Sequence, residues 1–331
     1  MFGRVAVAVL TAIDADDVAA LGAAYGLPGP LVVEGIAAGS VNSNYALEAG
    51  GTRYFLRLYE EQDRVGAAQE ARLLDRLARA GVPVAAPLPR LDAQRVSTVR
   101  GKPAALFPWR GGGMRCQAAV APDDTARVGE ALARVHAAGA GEAAPPGRFG
   151  PAQLLSRLDR IEASGDGRVV PVVPRLREAL GRVAVARDAG LPAGIVHGDL
   201  FRDNVLWRET GEVSALLDFE SACAGTFAYD LAVTVLSWCF GDDLDGRLAA
   251  AMCAGYERVR PLGERERAGL HAEAELAALR FTITRITDYA MRVSAGPRVV
   301  KDWARFLKRF EKLEALGPAG LRAMLWPAWG R

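Results

Sequence analysis

Ile195-Val196-His197-Gly198-Asp199-Leu200-Phe201-Arg202-Asp203-Asn204, read together with Leu217-Asp218-Phe219-Glu220, is the stretch that decides the fold. An acid stands at 199, an amide five residues later at 204, and a second acid at 218 closes a short apolar run. These residue types suit phosphoryl transfer. The migrating group carries dispersed negative charge, so it needs a divalent cation and positioning more than covalent chemistry. Asp199 can receive the proton of an attacking hydroxyl, and the oxygens of Asn204 and Asp218 are ligands for a hard cation.

The spacing adds to the residue types. Val205–Arg208 and Val213–Leu217 are apolar runs joined by Glu209-Thr210-Gly211-Glu212, which reads as a hairpin. A turn centred on Gly211 makes Asn204 and Asp218 cross-strand partners, with Cβ atoms about 5 Å apart. One magnesium then fits between them. Asp203 is a competing acid that also suits a turn. His197 is read as a loop brace, because a loose transition state needs no strong base. Asp230 begins a very apolar helix and can either cap it or tie down the loop. His136, on an apolar helix face, is read as a core histidine.

The chain before this stretch alternates between patterns. Asp14–Tyr25 has a helical stripe that ends at Gly26 and Pro28. Leu31–Glu34, Tyr45–Glu48 and Arg53–Tyr59 read as strands, and Ser97–Val99 with Lys102–Phe107 as a further hairpin. The connection Gly35–Asn44 is small and polar, able to lay backbone N–H groups over phosphates or simply to join two strands. Arg57 sits inside an apolar strand, where a cation needs a partner. Glu70 lies on the inward face of the helix Ala67–Ala80 and supplies one; a solvated glutamate is the plain alternative. Pro108–Gly113 breaks the composition and is read as a hinge, with Phe107 to Trp109 as the strip along an adenine edge. From there the pattern is mainly helical. The expected domains are 1–107 and 108–331.

Composition restricts the partners. The chain has 331 residues, 50% hydrophobic and 24% charged, with a formal charge of +2, so nothing draws it strongly to nucleic acid or to an anionic membrane. The apolar run Val5–Ile13 is too short to span a bilayer. Cys116, Cys223, Cys239 and Cys253 have no C-x-x-C spacing and are expected as reduced thiols in a cytoplasmic protein. Lysine occurs only at 102, 301, 308 and 312, so arginine is the chain's general cation.

His197-Gly198-Asp199 through Asn204, Asp218-Phe219-Glu220 and Tyr229-Asp230-Leu231-Ala232 resemble the aminoglycoside-phosphotransferase-like superfamily of small-molecule kinases. Within it, Gly35–Tyr45, Ala277–Phe281, Thr284-Arg285, Asp288 and Val300–Asp302 are similar to the bacterial homoserine kinases, over nearly the full length. The resemblance implies an α+β, two-lobed protein-kinase-like fold. The N-terminal lobe would hold an antiparallel sheet plus helix, and the C-terminal lobe would be mainly α-helical. It implies ATP and Mg2+, with Asp199 as the catalytic acid–base, Asn204 and Asp218 as metal ligands, and Ser40 and Asn42 over the phosphates, alongside Arg57, Glu70, Phe107 and Trp109 at the nucleotide. Two departures stand out: Arg57 replaces the usual lysine, and Glu220 stands where protein kinases carry glycine.

The acceptor is expected to be a small alcohol. Residues 231–331 carry 16 Arg/Lys against 12 Asp/Glu, which disfavours a polycationic aminoglycoside. A zwitterion such as homoserine needs one cation and one acid. Arg285 and Asp288 share a helix face and are candidates, as is Glu220; an intrahelical Arg285–Asp288 pair is the alternative. The reading is thus ATP-dependent phosphorylation of homoserine for threonine synthesis. A kinase of another small alcohol and a non-catalytic nucleotide-binding regulator stand as alternatives.

Overall fold

The computed structural model describes residues 9–36, 41–141, 144–291 and 301–327. The chain divides into two compact units, Met1–Gly112 and Gly113–Arg331.

The first unit opens with helix α1 (Ala15–Tyr25). Asp14 caps it and forms a reciprocal capping box with Asp17, and Gly26 ends it at φ +64°, a left-handed conformation that glycine adopts without steric cost. Five strands follow: β1 (Leu31–Ile36), β2 (Ser43–Ala49), β3 (Thr52–Leu58), β4 (Ser97–Val99) and β5 (Lys102–Pro108). They form one antiparallel sheet in the order β1-β2-β3-β5-β4. Alternation along β3 sends Leu56 and Leu58 into a core with Val18, Leu21 and Tyr25 of α1. Arg57 therefore faces the other way, where helix α2 (Arg64–Arg79) buries Ala67, Glu70, Leu74 and Leu77.

The second unit is mainly helical, with α3 (Pro122–Gly139), α4 (Pro151–Ala163), α5 (Val173–Ala186), α6 (Phe227–Trp238), α7 (Gly246–Val259), α8 (Glu264–Arg285) and α9 (Ala304–Leu325). Gly317 (φ +61°) and Pro318 break α9. Helix α6 buries eleven of its twelve residues, which is why its sequence is apolar on every side. Two short antiparallel pairs complete the unit: β6 (Ala193–Val196) with β9 (Cys223–Thr226), and β7 (Val205–Trp207) with β8 (Val213–Leu216). All four cysteines are free, and burial pushes the thiols of Cys239 and Cys253 well up. Among the described residues no helix is long and apolar enough to cross a membrane.

Helices α3 and α7 cross with their backbones almost touching. A Cβ built on Gly255 would stand 2.0 Å from the Ala126 carbonyl oxygen, and one on Gly129 would stand 2.2 Å from that of Met252. Thr125 Oγ1 also donates to the Leu248 carbonyl, at 2.8 Å. Replacing a helical glycine ordinarily stabilises by up to about 1 kcal/mol, but here the added carbon has no room. Gly255→Val is expected to reverse that sign and cost about 3 kcal/mol, read as a lower denaturant midpoint with an unchanged slope.

Candidate active site

Strand β6 leads into the loop His197–Asn204, and helix α6 holds that loop along its length. At the start of α6 the Asp230 carboxylate, fully buried, accepts the N–H of His197 at 2.6 Å and that of Gly198 at 2.7 Å. At the far end the Leu200 carbonyl accepts from Trp238 Nε1 (3.0 Å) and Ser237 Oγ (3.2 Å), and Arg202 donates to the Ser237 carbonyl. Thr226, not Asp230, caps α6, so of the two roles open to Asp230 the structure shows loop anchoring.

Behind Asp230 stands His136, whose Nε2 is 3.0 Å from Asp230 Oδ2 and whose Nδ1 is 2.7 Å from the Tyr256 hydroxyl. Because the carboxylate can only accept, Nε2 carries the proton and Tyr256 donates to Nδ1. Burial drives the pKa of His136 down and outweighs the pull of Asp230. Burial alone would raise Asp230, but His136, His197 and the Gly198 N–H together bring its carboxyl below the usual range. His136 is thus a buried brace, stacked on Phe227 with ring centroids 4.6 Å apart.

The loop closes on itself around Asp199. Its carbonyl accepts from the Phe201 N–H and from Asn204 Nδ2, both at 2.8 Å. That bond fixes the amide's orientation and leaves Oδ1 as the oxygen available to a cation. His197 donates from Nε2 to the Leu217 carbonyl (2.9 Å) and accepts the Asp199 N–H at Nδ1 (3.3 Å), and so joins the loop to the strand before Asp218.

The hairpin register differs from the symmetric one. Val205 pairs with Leu216 and Leu206 with Ala215, but Trp207 pairs with Val213, so Ser214 is an extra residue in β8. Asn204 consequently faces Leu217, whose N–H reaches the Asn204 carbonyl at 2.9 Å, and Asp218 lies one residue beyond the ladder. There Asp218 takes φ +61°, ψ +68°, a left-handed conformation that costs an aspartate about 1 kcal/mol. The turn closes between Arg208 and Glu212, around Thr210 rather than Gly211, which alone would set Asn204 opposite Leu216; the extra residue Ser214 restores one position, so counting from Gly211 misses by one.

Asp199 is half-buried. Burial pushes its carboxyl above the ordinary aspartate range; the Arg280 cation works against that rise and Asp218 adds to it. Arg280 was not singled out from sequence, although a lone cation in the apolar run Leu276–Phe281 is the same signal that marked Arg57. It lies 4 % exposed on α8. It donates to the Gly198 carbonyl and sits 4.0 and 4.2 Å from the ring centroids of Phe149 and Phe281.

Arg285 and Asp288 do not pair with each other. Asp288 Oδ1 takes Arg157 of α4 at 2.6 Å, and Arg285 donates to the Asp302 carbonyl at 2.9 Å. Glu220 lies in the turn Phe219–Ser221, whose backbone is held by Arg148 at the Glu220 carbonyl.

In the first unit, Arg57 Nη1 stands 3.6 Å from Glu70 Oε1, and both are largely buried. Asn42 Oδ1 accepts the Glu60 N–H at 3.1 Å. Phe107 is buried in the sheet beside Phe55. Trp109 is half-buried, with the Arg53 guanidinium 3.9 Å from its ring centroid. Ser40 lies outside the described residues.

The chain belongs to the phosphotransferase enzyme family, whose profile matches residues 32–262. Among curated relatives it is 36% identical over 286 residues to a homoserine kinase of Caulobacter sp. (strain K31), covering 85% of this chain and 89% of the relative. It is 37% identical over 312 residues to one of Chelativorans sp. (strain BNC1), covering 91% and 94%. Among solved structures it is similar to the amicoumacin kinase hAmiN in complex with AMP-PNP, Ca2+ and Ami. That match has a TM-score of 0.68 at 15% identity and covers 91% and 92% of the two chains. The spectinomycin phosphotransferase APH(9)-Ia gives 0.65 at 13% identity, covering 96% and 98%.

The Asp230 anchor has a measurable cost of loss. Asp230→Ala leaves two buried N–H groups and a histidine without their acceptor and is expected to cost about 3–5 kcal/mol in urea unfolding. The pair also sets a pH dependence. Because the folded pKa of His136 lies below its unfolded value of about 6.5, acid protonates the unfolded chain first. Stability is thus expected to fall as pH drops below about 6.5 and to fall further once Asp230 is protonated. The melting temperature of His136→Gln should vary less with pH over the first of these ranges.

Proposed function

We propose that the protein phosphorylates the hydroxyl of L-homoserine with ATP, giving O-phospho-L-homoserine. The observation that carries the chemistry is the closed loop in which the Asp199 carbonyl orients the Asn204 amide while the Asp199 carboxylate stays free of it. The choice of acceptor is supported by the curated relatives, which are named homoserine kinases at 36% and 37% identity over most of their length.

The donor set near Asp199 fits a divalent cation. Asn204 Oδ1 and Asp218 are both hard oxygen donors, a set that suits magnesium and leaves its other positions to phosphate oxygens and water. Bound there, the ion would neutralise charge on the transferring phosphoryl group.

The chain's own residues perform the other tasks. Asp199, with its carboxyl raised by burial, accepts the acceptor hydroxyl's proton as the oxygen attacks phosphorus. His197 and Asp230 keep that carboxylate in place through the backbone. In the first unit, Arg57 held by Glu70 offers a directed guanidinium to nucleotide phosphates. Ser40 and Asn42 offer short polar groups to the same phosphates, and Phe107 and Trp109 bound the adenine strip.

Asp199→Asn keeps the shape and removes the proton acceptor. With purified protein, L-homoserine and ATP, magnesium-dependent ADP release is expected to fall about 10²–10⁴-fold, with nucleotide affinity by fluorescence within about two-fold of wild type. Turnover near the wild-type rate would sink the assignment of Asp199, and a panel of hydroxyl substrates in which homoserine is not preferred would sink the choice of acceptor.

A further inference from the structure

Four arginines gather beside the loop that carries Asp199. Arg202 belongs to the loop itself. Arg285 ends α8, and Arg305 and Arg309 lie four apart on α9, on one helix face. The ring of Phe306 supports two of them, with the Arg285 guanidinium 4.4 Å and the Arg309 guanidinium 4.1 Å from its centroid. Phe306 packs in turn on Phe281 at 4.8 Å and on Phe201 at 6.0 Å, which binds the group to the loop between Asp199 and Asn204.

Arg309 is only 7 % exposed, and its Nε is buried without a hydrogen-bond partner among the described residues. A buried cation is ordinarily paired with an acid. Here its charged surroundings are Arg285, Arg305 and Arg202, and together with burial they press its pKa down to about 9. Burial and Arg305 act the same way on Arg285, which also feels the carboxylates of Asp199 and Asp302. Arginine stays protonated at neutral pH, so the repulsion at Arg309 persists there, while Arg202 and Arg285 each have an aspartate nearby. Elsewhere in the second unit Arg187 is matched to Glu273 and Arg260 to Glu266.

We propose that Arg285 and Arg309, with Arg202 and Arg305 at the rim, bind the carboxylate of an amino-acid substrate whose hydroxyl faces Asp199. The inference rests on the reading of the protein as a homoserine kinase and supplies its selectivity. The hydroxyl oxygen and carboxylate carbon of homoserine are about 5 Å apart when extended, which calls for an anion site beside the catalytic loop rather than within it, and Arg285 lies near enough to feel the Asp199 carboxylate. Guanidinium groups suit a carboxylate because they can bind it through two parallel hydrogen bonds. The same group of cations repels a polycationic acceptor.

The test compares kcat/KM for L-homoserine with that for 3-aminopropan-1-ol, which is homoserine without its carboxylate. Wild type is expected to prefer homoserine. In Arg285→Gln and Arg309→Gln that preference should fall about 100-fold, mostly through KM for homoserine. Arg305→Gln, at an exposed position where folding is not at risk, should lower it about five-fold, and Lys308→Gln, an exposed cation on the same helix, should leave it unchanged. Equal losses for both substrates would overturn the inference and assign the arginines to the transferred phosphate. An unchanged preference in all three arginine variants, with wild type still using homoserine, would overturn the inference and leave the kinase reading intact. Wild type that uses 3-aminopropan-1-ol but not homoserine would overturn both.

Discussion

The buried carboxylate of Asp230 is the constraint on which the site depends. It accepts two successive backbone N–H groups, those of His197 and Gly198, as a helix terminus or an anion nest would be approached in reverse. An acid in that position is costly to bury unless every lone pair is used, and His136 takes one of the remaining directions. Tyr256 then holds His136, and Arg260 donates to Tyr256 at 3.2 Å. The chain of bonds runs from the surface of α7 through α3 and α6 to the loop bearing Asp199. A short loop with few ladder bonds of its own thereby becomes rigid enough to present a carboxylate.

Arginine serves two opposite purposes in the second unit. Arg280 is buried and engaged at its guanidinium end, although its Nε has no hydrogen-bond partner among the described residues. It bonds the Gly198 carbonyl, lies on two aromatic rings and moderates the charge of Asp199. Arg309 is equally buried and faces other cations. The first arrangement stabilises the folded chain. The second weakens it, and such groups persist where function needs them. Helix α9 is thereby more than an outer support: its aromatic residue Phe306 docks on α8 and the loop while its arginines project beside them.

The strands of the first sheet and the helices α1 and α2 were legible because each follows from a local rule of alternation or helical stripe. The Arg57–Glu70 pair was legible because two charges interrupted apolar patterns that face each other. The hairpin after Asn204 was visible as a hairpin but not in its register, since its turn centres on Thr210 rather than Gly211 and the bulge at Ser214 shifts the pairs beyond it back by one. Arg285 and Asp288 share a helix face yet take different partners, because α8 widens into a π-helical turn over Ile286–Ala290 and Arg157 of α4 and the Asp302 carbonyl compete for the two side chains.

By itself the sequence determined which residues carry charge and oxygen in the stretch 197–218, and it ordered them as an acid, an amide and an acid along one loop and one hairpin. Those are properties of residue type and near spacing, and the backbone cannot alter them. Only the tertiary structure decided which of the flanking polar groups act as supports. Asp230 reaches back across more than thirty positions to His197, and His136 reaches across more than ninety to Asp230. The same holds for the arginines, drawn from the loop, from α8 and from α9, which become one group only when Phe306 packs between their helices. Burial and long-range packing select these partners, and neither has a signature within a few residues of the chain.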